Sequence, residues 1–230
     1  SFLDNHGMLR IWGSPQWQTI VGGSLEYVNR IAEAIPDIRL SNGVSSIHRD
    51  GDRLTITTDS GVIDTYDAAV IATHPDQALA MLANATDLER KLLGAFTYSP
   101  NPTQLHSDES ILPRSRRARA SWNFRTQSCG GSATEPVSVT YDMNHLQRID
   151  SPNRYLVSLN SAAEIDPSRV REQMSYSHPQ YTPTSVEAQR RLPELNSPRL
   201  AFAGAYHGWG FHEDGARSGI AAARALGARW

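Results

Sequence analysis

Six glycines fall within "FAGAYHGWGFHEDGARSGIAAARALG", Phe202 to Gly227, among two histidines, two acids and four aromatic residues. "LAFA" reads as a short buried parallel strand, and "DGARSGIAAARALG" as a helix with Asp214 as its N-cap. Gly215 and Gly219 lie four apart and share one helical face, kept small by Ser218, Ala222 and Ala223. Glycine inside a helix costs about 1 kcal/mol relative to alanine, so close approach of a partner must offset it. Two partners fit the spacing. One is another backbone, as in ordinary helix–strand packing. The other is a flat ligand whose phosphate or electron-rich edge meets the free N–H groups and positive partial charge of a helix start. Spacing alone leaves both open.

Other reactive side chains form weaker patterns. His207, His212, Glu213 and Asp214 are metal-ligand types, but their spacing matches no helix or finger pattern, so no metal site is expected. Cys129, in "SCGGS", has no marked base partner and reads as a small loop residue. Arg114, Arg116, Arg117 and Arg119 suit a phosphate or carboxylate, or equally a solvated strand edge. His106 and Asn123 fit either a substrate cavity or a structural role. No catalytic residue is assigned by these patterns.

The elements that must position these residues follow from period and punctuation. "GSLEYVNRIAEAIP" puts Leu25, Val28, Ile31, Ala32 and Ile35 at helical spacing, with Ser24 as cap and Pro36 as stop. From Asp37 to Thr73 the period changes to two. Asn42-Gly43, Asp50-Gly51 and Ser60-Gly61 mark turns of a three-stranded meander that feeds a buried strand, "AAVIAT". "HPDQALAMLA", entered through Pro75, and "TDLERKLLGAF" read as helices. "TQLHSD", "RARASWNF", "VSVTYDM" and "RYLVSLNS" read as strands of an antiparallel sheet, followed by a short helix in "PTSVEAQRRL". The fold class is therefore mixed α/β with an antiparallel insert. Its expected domains are residues 1–98, a partial cofactor-binding region with helix and meander; 99–183, an antiparallel substrate or cap subdomain; and 184–230, a closing strand–loop–helix.

Composition narrows the partners. The chain has 230 residues, 39% hydrophobic content and a formal charge of -2, with a pI near 6.4. Such a balance gives no general attraction to nucleic acid. No apolar run is long enough to span a bilayer. A single cysteine excludes an internal disulfide and suits a cytoplasmic setting. Arginine outnumbers lysine 21 to one, the one being Lys91 (22 basic residues less one).

"RLAFAGAYHGWGFHEDGARSGIAAARALG" resembles the C-terminal flavin-binding signature of the flavin-containing amine oxidase superfamily. With "PQWQTIVGGSLEYVNRI", "YDAAVIATHPDQALAML" and "LLGAFTYSPNPTQLHSDESILPRSRRARASWNF", nearly the whole chain is similar to a bacterial NAD/FAD-binding, amine-oxidase-like branch. The resemblance implies FAD as cofactor and a two-domain fold with an antiparallel substrate-domain sheet. Val44 would contact the adenine end of FAD through its backbone, and Ala72 and Thr73 would pass close to the dinucleotide. Gly204 and Ala205 would lie by the ribityl and pyrophosphate, while Asp214, Gly215, Ala216 and Gly219 would present the helix start to the flavin ring. NAD(P)-binding and an associated methyltransferase partner are further implications of that branch.

This sequence departs from the family pattern in three ways. The acidic residue after the strand-end glycine is Ala205 here. The aromatic cage of amine oxidases has no unambiguous match, although Tyr206, Trp209, Phe211 and His212 are candidates for a different substrate pocket. The Gly-x-Gly-x-x-Gly dinucleotide motif, which the superfamily keeps at its N-terminus, is absent, so the chain is expected to be the C-terminal portion of a larger flavoprotein, partnered by that region. The activity expected is hydride removal from a C–H bond of a small or lipid-like substrate. The alternatives are an amine oxidase proper and a non-catalytic binding domain that retains the fold.

Overall fold

The computed structural model describes residues 12–13, 18–126 and 138–229, so Cys129 lies outside the described residues. In chain order the strands are β1 (Val44–Asp50), β2 (Arg53–Thr58), β3 (Ile63–Tyr66), β4 (Ala69–Ile71), β5 (Thr97–His106), β6 (Trp122–Arg125), β7 (Ser138–Asp142), β8 (Leu156–Leu159), β9 (Val170–Gln180) and β10 (Leu200–Phe202). They form three sheets, ordered β1-β2-β3, β10-β4 and β6-β7-β8-β5-β9. Two compact units result, one of Arg39–Pro100 with Ser177–Trp230, the other of Ser1–Ile38 with Asn101–Tyr176.

In the first unit the meander is antiparallel, with Ile47 facing Ile56 and Arg49 facing Leu54 across β1 and β2. Alternation sends Ile47 and Leu54 into the core, where they meet Leu92, Leu93, Leu192, Leu200 and Phe202. Helix Pro75–Met81 carries its proline at the first turn, where the missing N–H costs nothing. Helix Asp87–Leu93 opens with a reciprocal cap. Thr86 Oγ1 accepts from the Glu89 N–H at 3.2 Å, and Glu89 Oε2 accepts from the Thr86 N–H at 2.7 Å. Glu89 is also ion-paired with Arg49 and is only 2% exposed. The sequence pattern puts it on the polar side of the helix beside Lys91. Its second partner, Arg49 on β1, is what makes the buried position tolerable.

β4 and β10 pair in parallel, with Ala69 facing Leu200, Val70 facing Ala201 and Ile71 facing Phe202. β10 is buried throughout, as its apolar run predicts. β4 is expected to be buried too, but Val70 is 41% exposed and of the three residues only Ile71 is buried. As one of only two strands in its sheet, β4 keeps a side open among the described residues.

The second unit holds the antiparallel sheet, with Thr103 to His106 of β5 facing Leu159 to Leu156 of β8. Four of its strands match predicted ones. β9 was not legible, because its burial runs without alternation and its residues are mostly polar. Such a composition belongs on a sheet edge, which β9 occupies. Helix Leu25–Glu33 forms as its periodicity predicts, yet none of its residues is buried and Ser24 makes no side-chain cap bond. Asn123 is spent on local backbone, its amide donating to Ala120 and Thr140 carbonyls.

His106 is fully buried in this unit. Its Nδ1 accepts from the Asp108 backbone N–H at 3.1 Å, which leaves the proton on Nε2, donated to Ser158 Oγ at 2.8 Å. Ser158 in turn bonds Thr140 Oγ1 at 2.7 Å. The imidazole is a neutral strut between β5, β7 and β8.

Burial lowers the His106 pKa below 6.5, only partly countered by the Asp108 charge. The unfolded chain therefore binds more protons than the folded one below about pH 6.5, and stability is lost as pH falls through that window. Asp108, whose own pKa is lowered below 3.8, adds its loss only at lower pH. Urea denaturation at a series of pH values is expected to show stability declining from pH 7 to 5. His106→Gln, which keeps an amide donor near the Nε2 position, should decline less steeply over that range. An unchanged slope would contradict the strut reading.

Candidate functional site

The parallel pairing sets the site. Because Phe202 faces Ile71, and the Ala203 N–H donates to the Ile71 carbonyl at 2.9 Å, the segments Ala72–Thr73 and Gly204–Ala205 leave the sheet side by side. They emerge at the carboxyl ends of two parallel strands, where open α/β sheets bind ligands. Gly204 sits at φ 154° and ψ 161°, a region open to glycine alone, and a Cβ there would overlap the Tyr206 ring.

Side-chain clamps hold the loop from Gly204 to Phe211. Ser218, buried on helix His212–Ala225, accepts from the Gly204 N–H at 2.9 Å and reaches the Gly204 carbonyl at 3.1 Å. Asp214 is 8% exposed and accepts from the Trp209 N–H at 2.9 Å and the Phe211 N–H at 3.2 Å, with Arg217 at 2.6 Å. Asp214 is therefore not the N-cap. The helix begins at His212 with Phe211 in the cap position, and Asp214, in the first turn, reaches back to the loop. Gly208 has no Cβ to collide with that carboxylate. On the other side, Gln189 Nε2 donates to the carbonyls of Tyr206 at 2.9 Å and Gly208 at 2.6 Å, and the Tyr181 hydroxyl donates to the Gly208 carbonyl at 3.2 Å.

The small-residue helix divides into two faces. Ala222 packs against Ala201 and Ala203 of the strand, and Ser218 binds Gly204, so these two carry the helix–strand contact. Gly219 is different. A Cβ there would meet nothing within 4 Å, and one at Gly215 would meet only the Ala205 nitrogen at 3.9 Å. No neighbouring backbone requires glycine at 219. Ala216 is exposed in the first turns of this helix.

Val44, Ala72 and Thr73 come together in one cavity of about 570 Å³. Ile47, Ile56, Ala80 and Met81 make it mainly apolar, and Ser45 and Gln77 contribute polar groups. The size and the apolar character suit a planar heterocycle.

The four substrate-pocket candidates have different surroundings. Tyr206 is 4% exposed within the core, edge-on to Phe96 with ring centroids 5.5 Å apart. Trp209 lies at the surface against Tyr181, with ring centroids 5.7 Å apart. Phe211 is half-buried at the cap, and His212 is exposed. Among the described residues, the Tyr206 hydroxyl and His207 Nε2 are buried without a hydrogen-bond partner. Burial pushes the His207 pKa down to about 4, so the ring is neutral at pH 7. Sequence reasoning missed Tyr98, stacked on His74 at 4.3 Å, and Tyr181. Neither stands in a motif, and both are placed by the ends of long strands. Of the arginine cluster, Arg119 pairs with Glu109 at 2.9 Å in the other unit. Among the described residues no group of three histidine, cysteine or acidic side chains is placed to hold a metal, and no helix is long and apolar enough to cross a membrane.

A profile of the flavin-containing amine oxidoreductase family matches residues 2–104 and 159–227. No curated protein sequence matches the chain. Among solved structures, the chain is similar to one described as a protoporphyrinogen oxidase from Exiguobacterium sp. 255-15, with 16% identity, TM-score 0.59, and coverage of 96% of this chain and 53% of that one. Cyclohexylamine oxidase from Brevibacterium oxydans IH-35A gives 16% identity, TM-score 0.59, and coverage of 89% and 52%. A fatty acid isomerase from P. acnes that produces CLA gives 11% identity, TM-score 0.60, and coverage of 90% and 52%. The chain thus spans about half the length of these structures, and they share its fold. With three quarters of its residues inside the matched segments (103 and 69 of 230), the chain belongs to the flavin-containing amine oxidoreductase family.

Proposed function

We propose that this chain forms the C-terminal half of an FAD-dependent oxidoreductase that removes hydride from a C–H bond of a small or lipid-like substrate, completed by an N-terminal dinucleotide-binding region of the same protein. FAD is the cofactor of the family. The residues present fit it. The single observation that carries the reading is the empty contact shell at Gly219 beside the clamped Gly204 loop, because glycine there serves no packing within the described residues. The cavity at Val44, Ala72 and Thr73 suits the adenine end. Bound FAD supplies the two-electron acceptor.

The chain's own residues have three tasks in this reading. Ser218 and Asp214 fix the loop from Gly204 to Phe211. The helix start at His212 to Asp214 offers backbone N–H groups to the electron-rich edge of the cofactor. The five-stranded sheet of the other unit supplies the substrate domain. We infer an apolar or lipid-like substrate in preference to simple primary amines. Lys91, the lone lysine, is exposed on helix Asp87–Leu93, and the aromatic cage of amine oxidases has no unambiguous match in the sequence. Rapid anaerobic bleaching of the flavin by several common amines, with fast reoxidation in air, would refute this substrate reading.

Gly219→Val separates ligand approach from packing. Valine fits the open space and has a helix propensity about 0.5 kcal/mol better than glycine, so the melting temperature of the flavin-free protein should hold or rise slightly while flavin retention through gel filtration is lost. Full flavin occupancy in the variant would show that the space belongs to something else.

Ser218→Ala should act through stability instead. It strands the Gly204 N–H away from its acceptor, at a cost of about 1–3 kcal/mol. Thermal or urea unfolding reads this directly, and a loss below about 0.5 kcal/mol would mean that the clamp is dispensable.

A further inference from the structure

Gln77 lines the cavity at Val44, Ala72 and Thr73 from the third position of helix Pro75–Met81. Its Oε1 accepts from the His74 backbone N–H at 3.3 Å, which fixes the direction of the amide. The acceptor half of the side chain is thereby engaged. The NH2 group keeps two donors with no partner among the described residues. The cavity's other polar side chains have already committed their protons: Ser45 donates to the Thr57 carbonyl at 3.1 Å, and Thr73 to the His74 carbonyl at 3.3 Å. What remains is an apolar slot with one oriented donor amide at its rim and hydroxyl oxygens able to accept.

We propose that Gln77 reads the adenine base of the dinucleotide, donating a hydrogen bond to one of its ring nitrogens and so favouring FAD over FMN. The proposal rests on the reading of this cavity as the adenine end of the FAD site. Adenine carries three ring-nitrogen acceptors and one exocyclic amine, and its flat apolar faces match the Val44, Ile56 and Met81 walls. A donor whose orientation is set before binding loses less side-chain entropy on binding than a free glutamine would.

The test uses the full-length protein stripped of flavin, titrated with FAD, ADP and FMN by calorimetry. Gln77→Met removes the donor and the helix cap together. Gln77→Glu keeps an acceptor for the His74 N–H and removes the donor while adding a negative charge, so the neutral Gln77→Met variant is its control. Both variants should weaken FAD and ADP about 3- to 10-fold, the value of one hydrogen bond, and leave FMN unchanged. FAD and ADP affinities within twofold of wild type in both variants would overturn the role of Gln77. Equal weakening of FMN would overturn it too, as the damage would then be general. A wild-type protein that binds neither FAD nor ADP would overturn the underlying cofactor reading, and this inference with it.

Discussion

Three backbone pairings between β4 and β10 hold the site together. They join residues about 130 positions apart, and parallel strands require such a crossover, here long enough to contain all five strands of the antiparallel sheet. The register decides everything downstream. Were β10 shifted by one residue, Phe202 would turn to the face where Ala201 and Ala203 meet Ala222, and Gly204 would no longer emerge beside Thr73. The overpacking cost of that slip, about 1–3 kcal/mol, keeps the two strand ends aligned.

From that alignment the C-terminal helix acquires two unlike faces. Ser218 and Ala222 spend their small size on approach to the strand, where alanine meets alanine. Of the two glycines rotated round the axis from them, Gly215 faces the Ala205 backbone nitrogen and Gly219 borders open space among the described residues. A helix that only had to pack would not need glycine at 219, since glycine weakens a helix wherever no close approach offsets it.

Much of this was legible in sequence where one residue type had one physical use. The meander turns at Asp50-Gly51 and Ser60-Gly61, the proline entry at Pro75 and the buried run of β10 follow from local rules. Asp214 did not, because an acid just before a small-residue helix looks like an N-cap until its actual acceptor duties, toward Trp209 and Phe211 upstream, are seen. Glu89 was misplaced for a similar reason, its ion-pair partner lying 40 residues away on β1. Val44, Ala72 and Thr73 were named from resemblance, and their meeting in one cavity needed the fold. Gln77, Tyr98 and Tyr181 carried no signal beyond composition. β9 lacked alternation because an edge strand buries little.

The loop between Gly204 and Phe211 shows how far a site can depend on residues outside it. Tyr206 and Gly208 are buried, and buried carbonyls left unpaired would each cost about 1–3 kcal/mol. Helix Pro183–Arg191 solves this through Gln189, whose amide bridges both. That helix is itself capped by Thr182 and Ser185 immediately after β9. The path of the glycine-rich loop is thus fixed from two sides, by Asp214 and Ser218 on the C-terminal helix and by Gln189 and Tyr181 on the segment that precedes β10. A loop held so firmly can leave Trp209 at the surface and still present Gly204, Ala205 and the helix start in one arrangement.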